Sequence, residues 1–263
     1  MNRNVFRAVY PLVLSMLGSP ILGCTTQEAD ERFLRKAHTS PSGDTLLYRL
    51  FVPDVTDSTS RYPLIIFLHG GQGAGTDNAK QISGSNWSGS HVWLQADVQR
   101  RHPAFVAAPQ LPRLYRWDYV ASEELSTYGE LAVELVEELV HSYPIDRSRI
   151  YVTGQSLGGW GVWDLIAKRS DLFAAAIPVC GAGNPKAATA MRGVSIWVFH
   201  GAGDREVEVE RSREMVEALR AAGASVEYTE YGSSGHAIWD QVYAEKGLTD
   251  WLFAQRKHGQ SER

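Results

Sequence analysis

Only two cysteines, Cys24 and Cys180, occur among the 263 residues. That is too few for a disulfide framework or a four-cysteine zinc site. No basic run is present: 26 Lys and Arg stand against 30 Asp and Glu, for a net charge of −4. This balance argues against a nucleic-acid partner. No cluster of His, Asp and Glu has the sequence spacing of a metal site, so no metal is expected. Internal repeats and a second hydrophobic core are also lacking, which leaves one domain. With 44% hydrophobic, 10% aromatic and 21% charged residues, the chain has the composition of a globular protein, and disordered or collagen-like classes are excluded.

Acidic residues are absent before Glu28, while Arg3 and Arg7 precede a mostly apolar stretch from Ala8 to Leu22. That stretch is short for a transmembrane helix and contains Pro11 and Pro20, so it reads as an export signal. It ends in Ile21-Leu22-Gly23-Cys24, which resembles a bacterial lipobox whose cysteine is lipidated and becomes the mature N-terminus. The alternative is an ordinary signal peptide cut nearby, with Cys24 incidental. Thr25 follows in place of the aspartate that retains lipoproteins at the inner membrane, so the expected destination is the outer membrane of a Gram-negative bacterium. Several acyl chains on Cys24 would anchor the protein durably to the membrane. Losing residues 1–23 removes Arg3 and Arg7 and no acid, taking the charge from −4 to −6. The expected organisation is a signal over 1–23, a linker over 24–31, a catalytic domain over 32–257 and a polar tail over 258–263.

Beyond the linker, strand and helix patterns alternate. Leu46–Val52 alternates as a half-exposed strand, and the Pro41-Ser42-Gly43-Asp44 turn pairs it in a hairpin with the segment around Phe33. Leu64–Leu68 is continuously apolar, as expected of a strand covered on both faces in a parallel sheet. Similar runs recur at Ala104–Ala108, Arg149–Thr153, Ala174–Val179 and Val194–His200, with a last strand at Ser225–Tyr231. Leu125–Val140 places Tyr128, Leu131, Leu135 and Leu139 at helical spacing, and Arg211–Ala222 is a second amphipathic helix ended by Gly223. The order predicts an α/β fold: a mainly parallel central sheet with helices on both faces and two antiparallel strands at one edge. The segments Gly70–Ser90 and Gly181–Gly193 are too short for a large cap domain, and they follow core strands where such folds bind ligands.

Three loops carry the chemistry. Gly154-Gln155-Ser156-Leu157-Gly158 lies between a strand and a helix, the setting in which a tight turn presents a serine nucleophile. His69-Gly70-Gly71-Gln72-Gly73 ends the first core strand; Gly71, with Gln72 as the alternative, and Leu157 supply N–H groups for an oxyanion. Asp204 follows the strand Ile196–Phe199, and His236 follows the strand ending at Tyr231, giving the order Ser156, Asp204, His236 that this fold requires. Of eight histidines, only His236 has both that order and a loop after the last strand, while His69 and His200 read as structural. Glu206 is the neighbouring alternative to Asp204.

Read together, His-Gly-Gly, Gly-Gln-Ser-Leu-Gly-Gly, His-Gly-x-x-Asp and Gly-His-x-x-Trp resemble the α/β-hydrolase superfamily. More closely, the chain is similar to the dienelactone-hydrolase-like and polyhydroxybutyrate-depolymerase-like esterases, including the group labelled predicted peptidases or phospholipase/carboxylesterases. The shared segments are Ile145–Gly154, Ala107-Ala108-Pro109-Gln110 and Tyr228-Thr229-Glu230-Tyr231, and the resemblance spans about residues 45 to 255. It implies hydrolysis of acetyl, feruloyl or other short and aryl esters, polysaccharide-attached ones included, through an acyl-enzyme and without a cofactor. Dienelactone hydrolases proper use a cysteine nucleophile, whereas position 156 is serine. A serine peptidase with the same triad and a non-catalytic surface-binding lipoprotein of the same fold are the rival readings.

Trp117, Trp160 and Trp239 follow the strand end, the nucleophile turn and His236 respectively, and are candidates to border the cleft and stack on a sugar or phenolic ring. Gln72 and Gln155 are further candidate substrate contacts. Cys180, at the end of a core strand, is expected to be a buried free thiol.

Overall fold

The run Leu64-Ile65-Ile66-Phe67-Leu68 shows how the fold is layered. In the computed structural model, which describes residues 31–257 apart from 55, 56, 58, 120 and 121, it lies in strand β3 (Tyr62–Leu68). Leu64, Ile66 and Leu68 face one apolar cluster, and Ile65 and Phe67 face another. Alternate side chains of a strand point to opposite faces. A strand with both faces covered therefore cannot show alternation in its sequence.

The sheet has eight strands. The others are β1 (Leu34–Thr39), β2 (Thr45–Phe51), β4 (Phe105–Gln110), β5 (Ile145–Gln155), β6 (Ala175–Val179), β7 (Ser195–Gly201) and β8 (Val226–Tyr231), in the spatial order β1-β2-β4-β3-β5-β6-β7-β8. The pairs β1–β2 and β2–β4 are antiparallel, and all other neighbours are parallel. The expected α/β-hydrolase architecture is thus observed, antiparallel edge included. β5 begins four residues earlier than its apolar run suggests. Ile145 pairs with Tyr62, and a register shift follows before Leu64 pairs with Ile150. The polar residues in that shift, Asp146 to Arg149, hide the strand start: Asp146 accepts from the Ser148 N–H and from Arg149 Nε at 2.6 Å.

Seven α-helices cover the sheet among the described residues: α1 (Trp87–His91), α2 (Ala96–Arg101), α3 (Thr127–Ser142), α4 (Leu157–Lys168), α5 (Glu210–Ala221), α6 (Trp239–Tyr243) and α7 (Leu248–Ala254). α3, α4 and α5 bury Leu131, Leu135, Leu139, Val162, Met215 and Leu219 in the first cluster. Val98 of α2, Tyr243 of α6, and Leu252 and Phe253 of α7 fill the second. Ser126 caps α3, accepting from the Gly129 N–H at 2.9 Å while donating to the Trp117 carbonyl at 2.8 Å. Gly223, at φ +76°, follows α5 in the left-handed conformation that favours glycine. The segment 181–193, read as irregular, contains a 3₁₀ helix over Pro185–Met191, capped by the Asn184 side chain. The export signal, Cys24, the linker and the tail from 258 lie outside the described residues, apart from Glu31. Among the described residues, no helix is long and apolar enough to cross a membrane.

The edge strand β1 is tied to α3 by His38, which is buried and bonds Glu138 through Nδ1 at 2.5 Å and Glu134 through Nε2 at 3.0 Å. Burial pulls the imidazole pKa down, but the two carboxylates outweigh it and the net shift is upward. A raised folded-state pKa means a stabilisation fully present below the unfolded value of about 6.5 and lost as pH rises through the folded value. Urea unfolding between about pH 5.5 and 8.5 should therefore show wild type losing its advantage over His38→Gln as the pH rises. A constant difference across that range would contradict the arrangement.

Candidate active site

Parallel strands β3, β5, β6, β7 and β8 all end on one edge of the sheet, and the candidate residues sit in the loops just beyond them. Ser156 joins β5 to α4 with φ +53° and ψ −118°, a backbone conformation that costs a non-glycine residue of order 1–3 kcal/mol. Its N–H is held by the Val179 carbonyl at 2.8 Å, and its own carbonyl accepts the Trp160 N–H at 3.0 Å. The turn is possible because its flanks lack side chains. A Cβ on Gly158 would lie 1.9 Å from the Leu68 carbonyl oxygen, one on Gly154 2.7 Å from the same atom, and one on Gly159 2.6 Å from the Val179 carbonyl oxygen. The start of α4 thus rests directly on the exits of β3 and β6.

The loops after β7 and β8 are laced to each other. Gly203 N–H bonds the Ser234 carbonyl at 2.9 Å, and Ala202 N–H bonds the Tyr231 carbonyl at 3.0 Å. A Cβ on Gly201 would collide with the Gly235 carbonyl oxygen at 2.1 Å. This brings Asp204 and His236 together across 32 residues of sequence. His236 Nδ1 meets Asp204 Oδ2 at 2.6 Å, and His236 Nε2 meets Ser156 Oγ at 2.8 Å. Asp204 Oδ1 accepts the N–H groups of Glu206 and Val207, both at 2.9 Å. Burial pushes the Asp204 pKa up, but the bonds from His236, Val207 and Glu206 outweigh it and hold the carboxyl below its ordinary value. Glu206 is largely exposed and reaches only to 3.7 Å from Nε2, the nitrogen that faces Ser156. Asp204 therefore takes the orienting position.

Two other histidines are structural, as their sequence positions suggest. His69 is fully buried; its Nδ1 bonds the Gly70 carbonyl at 2.7 Å and its Nε2 accepts the Leu111 N–H at 2.9 Å. Burial lowers its pKa to about 4, so it stays neutral. His200 bonds Ser212 Oγ at 2.7 Å and the Val207 carbonyl at 2.9 Å, with Asp204 Oδ2 3.2 Å from Nε2. Burial lowers its pKa too.

Next to the serine, Gly70 donates its N–H to Asn86 Oδ1 at 2.9 Å, whereas the N–H groups of Gly71 and Gln72 meet no acceptor among the described residues. Leu157, at the first position of α4, likewise has no intrahelical acceptor for its N–H. Gly71 is exposed, and a Cβ there would meet nothing within 4 Å.

The structure corrects two of the proposed substrate contacts. Trp117 is 1% exposed; it packs edge-on against His69, 5.4 Å between ring centroids, and fills the space beside Gly161. It anchors its loop in the core and cannot stack on a substrate. Gln155 is also 1% exposed, and its Nε2 donates to the Ser85 carbonyl at 2.8 Å, tying the loop after β3 to the nucleophile turn. Trp160 is half-buried with the Arg116 guanidinium 5.4 Å from its ring, and Trp239 is half-buried and edge-on to His236 at 5.2 Å. Gln72 is exposed and accepts from Ser85 Oγ at 3.2 Å. Asn86 and Ser212 support the site without standing out in sequence. The free thiol of Cys180 is buried, its backbone φ is +46°, and burial drives its pKa far above the ordinary thiol range.

Comparison with known proteins gives the family. Residues 51–246 match the profile of the Dienelactone hydrolase family. The chain belongs to that family. A solved thermostable esterase is 36% identical with a TM-score of 0.83, over 88% of this chain and 64% of the other. Poly(3-hydroxyalkanoate) depolymerase C of Paucimonas lemoignei is 30% identical over 137 residues, which is 49% of this chain and 30% of the depolymerase. The chain thus spans less than two thirds of either relative. A ferulic acid esterase structure, 17% identical with a TM-score of 0.62 over 84% of this chain and 98% of its own, shares the family member's fold.

The glycine contacts give a paired expectation. Gly158→Ala should destabilise the protein by about 3 kcal/mol or more, because the new methyl meets backbone rather than a movable side chain. Gly71→Ala, with open space around it, should stay within about 0.5 kcal/mol of wild type. Chemical denaturation of both variants decides it; equal stabilities would contradict the close approach of α4 to β3.

Proposed function

We propose that the protein is a serine carboxylic ester hydrolase working through an acyl-enzyme. The observation that carries this reading is the continuous chain of contacts from Asp204 through His236 to the Oγ of a serine held at positive φ. In the proposed cycle Ser156 attacks the ester carbonyl while His236 Nε2 accepts its proton. Asp204 fixes the Nδ1–H tautomer and stabilises the imidazolium. The Leu157 and Gly71 amides, free of other acceptors, receive the oxyanion. His236 then protonates the departing alcohol, and water repeats the sequence to release the acid. Nucleophile, base and donors all come from this chain.

The substrates in this reading are acetyl, feruloyl or other short and aryl esters, polymer-attached ones included. Supporting this are the connections after the strands, which contain no large cap among the described residues, and the 30% identity over 137 residues to a poly(3-hydroxyalkanoate) depolymerase. Half-buried Trp160 and Trp239 beside the nucleophile and base suit flat acyl groups.

The test is a panel of 4-nitrophenyl acetate, methyl ferulate, long-chain triglyceride and peptide anilides. Wild type should turn over the first two and leave the anilides intact. Ser156→Ala should lower kcat/KM by at least about 10⁴-fold. Gly71→Pro removes one N–H and suits its place, since Gly70 has the extended ψ of 175° that a following proline prefers. It should lower kcat about 10²–10³-fold with little change in KM. Preferential anilide cleavage would favour a peptidase, and faster triglyceride cleavage would overturn the short-ester assignment. Equal rates for wild type and Ser156→Ala would end the serine reading.

A further inference from the structure

Cys180 has no part in the proposed reaction, yet it lies against the centre of it. It follows β6 in a conformation uncommon for a non-glycine residue and is fully buried. Its Sγ is 3.4 Å from the His236 carbonyl oxygen. More tellingly, one ligand atom each of Cys180, Asp204 and His236 all lie within 4.8 Å of one another. The imidazole nitrogen on the Asp204 side is Nδ1. A thiol, a carboxylate and an imidazole make the mixed donor set of a soft or borderline d¹⁰ cation. Ligand bonds of 2.0–2.3 Å in a tetrahedral site put donor atoms roughly 3.5 Å apart. The widest pair therefore closes by about 1.3 Å at most, while Nδ1 and Oδ2, 2.6 Å apart, open by about 0.9 Å. These residues come from three loops separated by 24 and 32 positions, which is why no ligand spacing marks them in the sequence.

We propose that Cys180, Asp204 and His236 form an inhibitory site for a thiophilic divalent cation such as Cd²⁺ or Zn²⁺. The cation forms a bond to Sγ as the thiol proton leaves to solvent. The Nδ1 proton of His236 is given up while Nε2 takes one from solvent, so that the Nδ1 lone pair binds the cation. Asp204 exchanges its hydrogen bond to Nδ1 for a bond to the metal. No electrons are transferred, and one proton is released per cation bound. The consequence is a change of tautomer: Nε2, now carrying a hydrogen, has no lone pair with which to take the proton of Ser156. Hard cations such as Mg²⁺, which demand oxygen ligands in octahedral array, do not suit this set. The effect on turnover rests on the esterase reading; the binding does not.

The experiment is a titration of the full chain with CdCl₂, with MgCl₂ as control, following the ultraviolet sulfur-to-metal charge-transfer band and hydrolysis of 4-nitrophenyl acetate in parallel. Wild type and Cys24→Ser should both develop a band saturating at one equivalent at position 180, with matching loss of activity, and MgCl₂ should do neither. Cys180→Ala should lack that band and need at least about tenfold more Cd²⁺ for the same inhibition. Cys180→Ser, which keeps a small polar side chain there, guards against misfolding of the alanine variant. A band retained in both position-180 variants, or lost only in Cys24→Ser, overturns the proposal, as does no band in wild type. Should wild type hydrolyse nothing while the band depends on Cys180, the cation site stands and the esterase reading alone falls.

Discussion

The contact on which the site depends is between backbone and backbone: the Leu68 carbonyl at the end of β3 lies where any side chain on Gly158 would have to be. Because α4 can approach β3 and β6 that closely, the chain leaves β5, reverses at Ser156 and enters the helix within a few residues. The strain at Ser156 persists because its surroundings over-determine it, with the N–H held from β6 and glycines on either side. The conformation that is costly for the backbone is the one that points Oγ at His236.

The other half of the candidate site depends on a second close approach. Gly201 and Gly203 let the loop after β7 touch the loop after β8, and the backbone bonds between them fix Asp204 against His236. His200 and Ser212 then brace the loop of Asp204 from behind, and burial lowers the His200 pKa. A site built from strand ends in this way inherits the rigidity of the sheet, and only the loops need change for substrates to differ.

Much of this was legible in the sequence, for reasons that can be named. Continuous apolar runs such as Leu64–Leu68 announce strands covered on both faces, and the sheet places their ends side by side. Given that placement, the order Ser156, Asp204, His236 leaves few alternatives. What could not be read was the direction of individual side chains. Trp117 and Gln155 stand next to site residues in the chain, but both turn inward. Trp117 locks its loop onto His69 and Gln155 binds the Ser85 carbonyl. Adjacency in sequence carries no information about which way a loop residue faces. The start of β5 was hidden by the polar residues of a register shift. Cys180 was legible as a buried thiol, but its place beside Asp204 and His236 depends on contacts between distant loops.

The central claim is that Ser156 is a nucleophile made reactive by His236. Covalent capture tests it without any assumption about the natural ester. After exposure to a fluorophosphonate, the intact protein should gain the mass of one adduct, mapped by peptide sequencing to Ser156, and His236→Ala should remain unlabelled over the same period. Labelling at another residue, or labelling of Ser156 at the same rate with and without His236, would contradict the account.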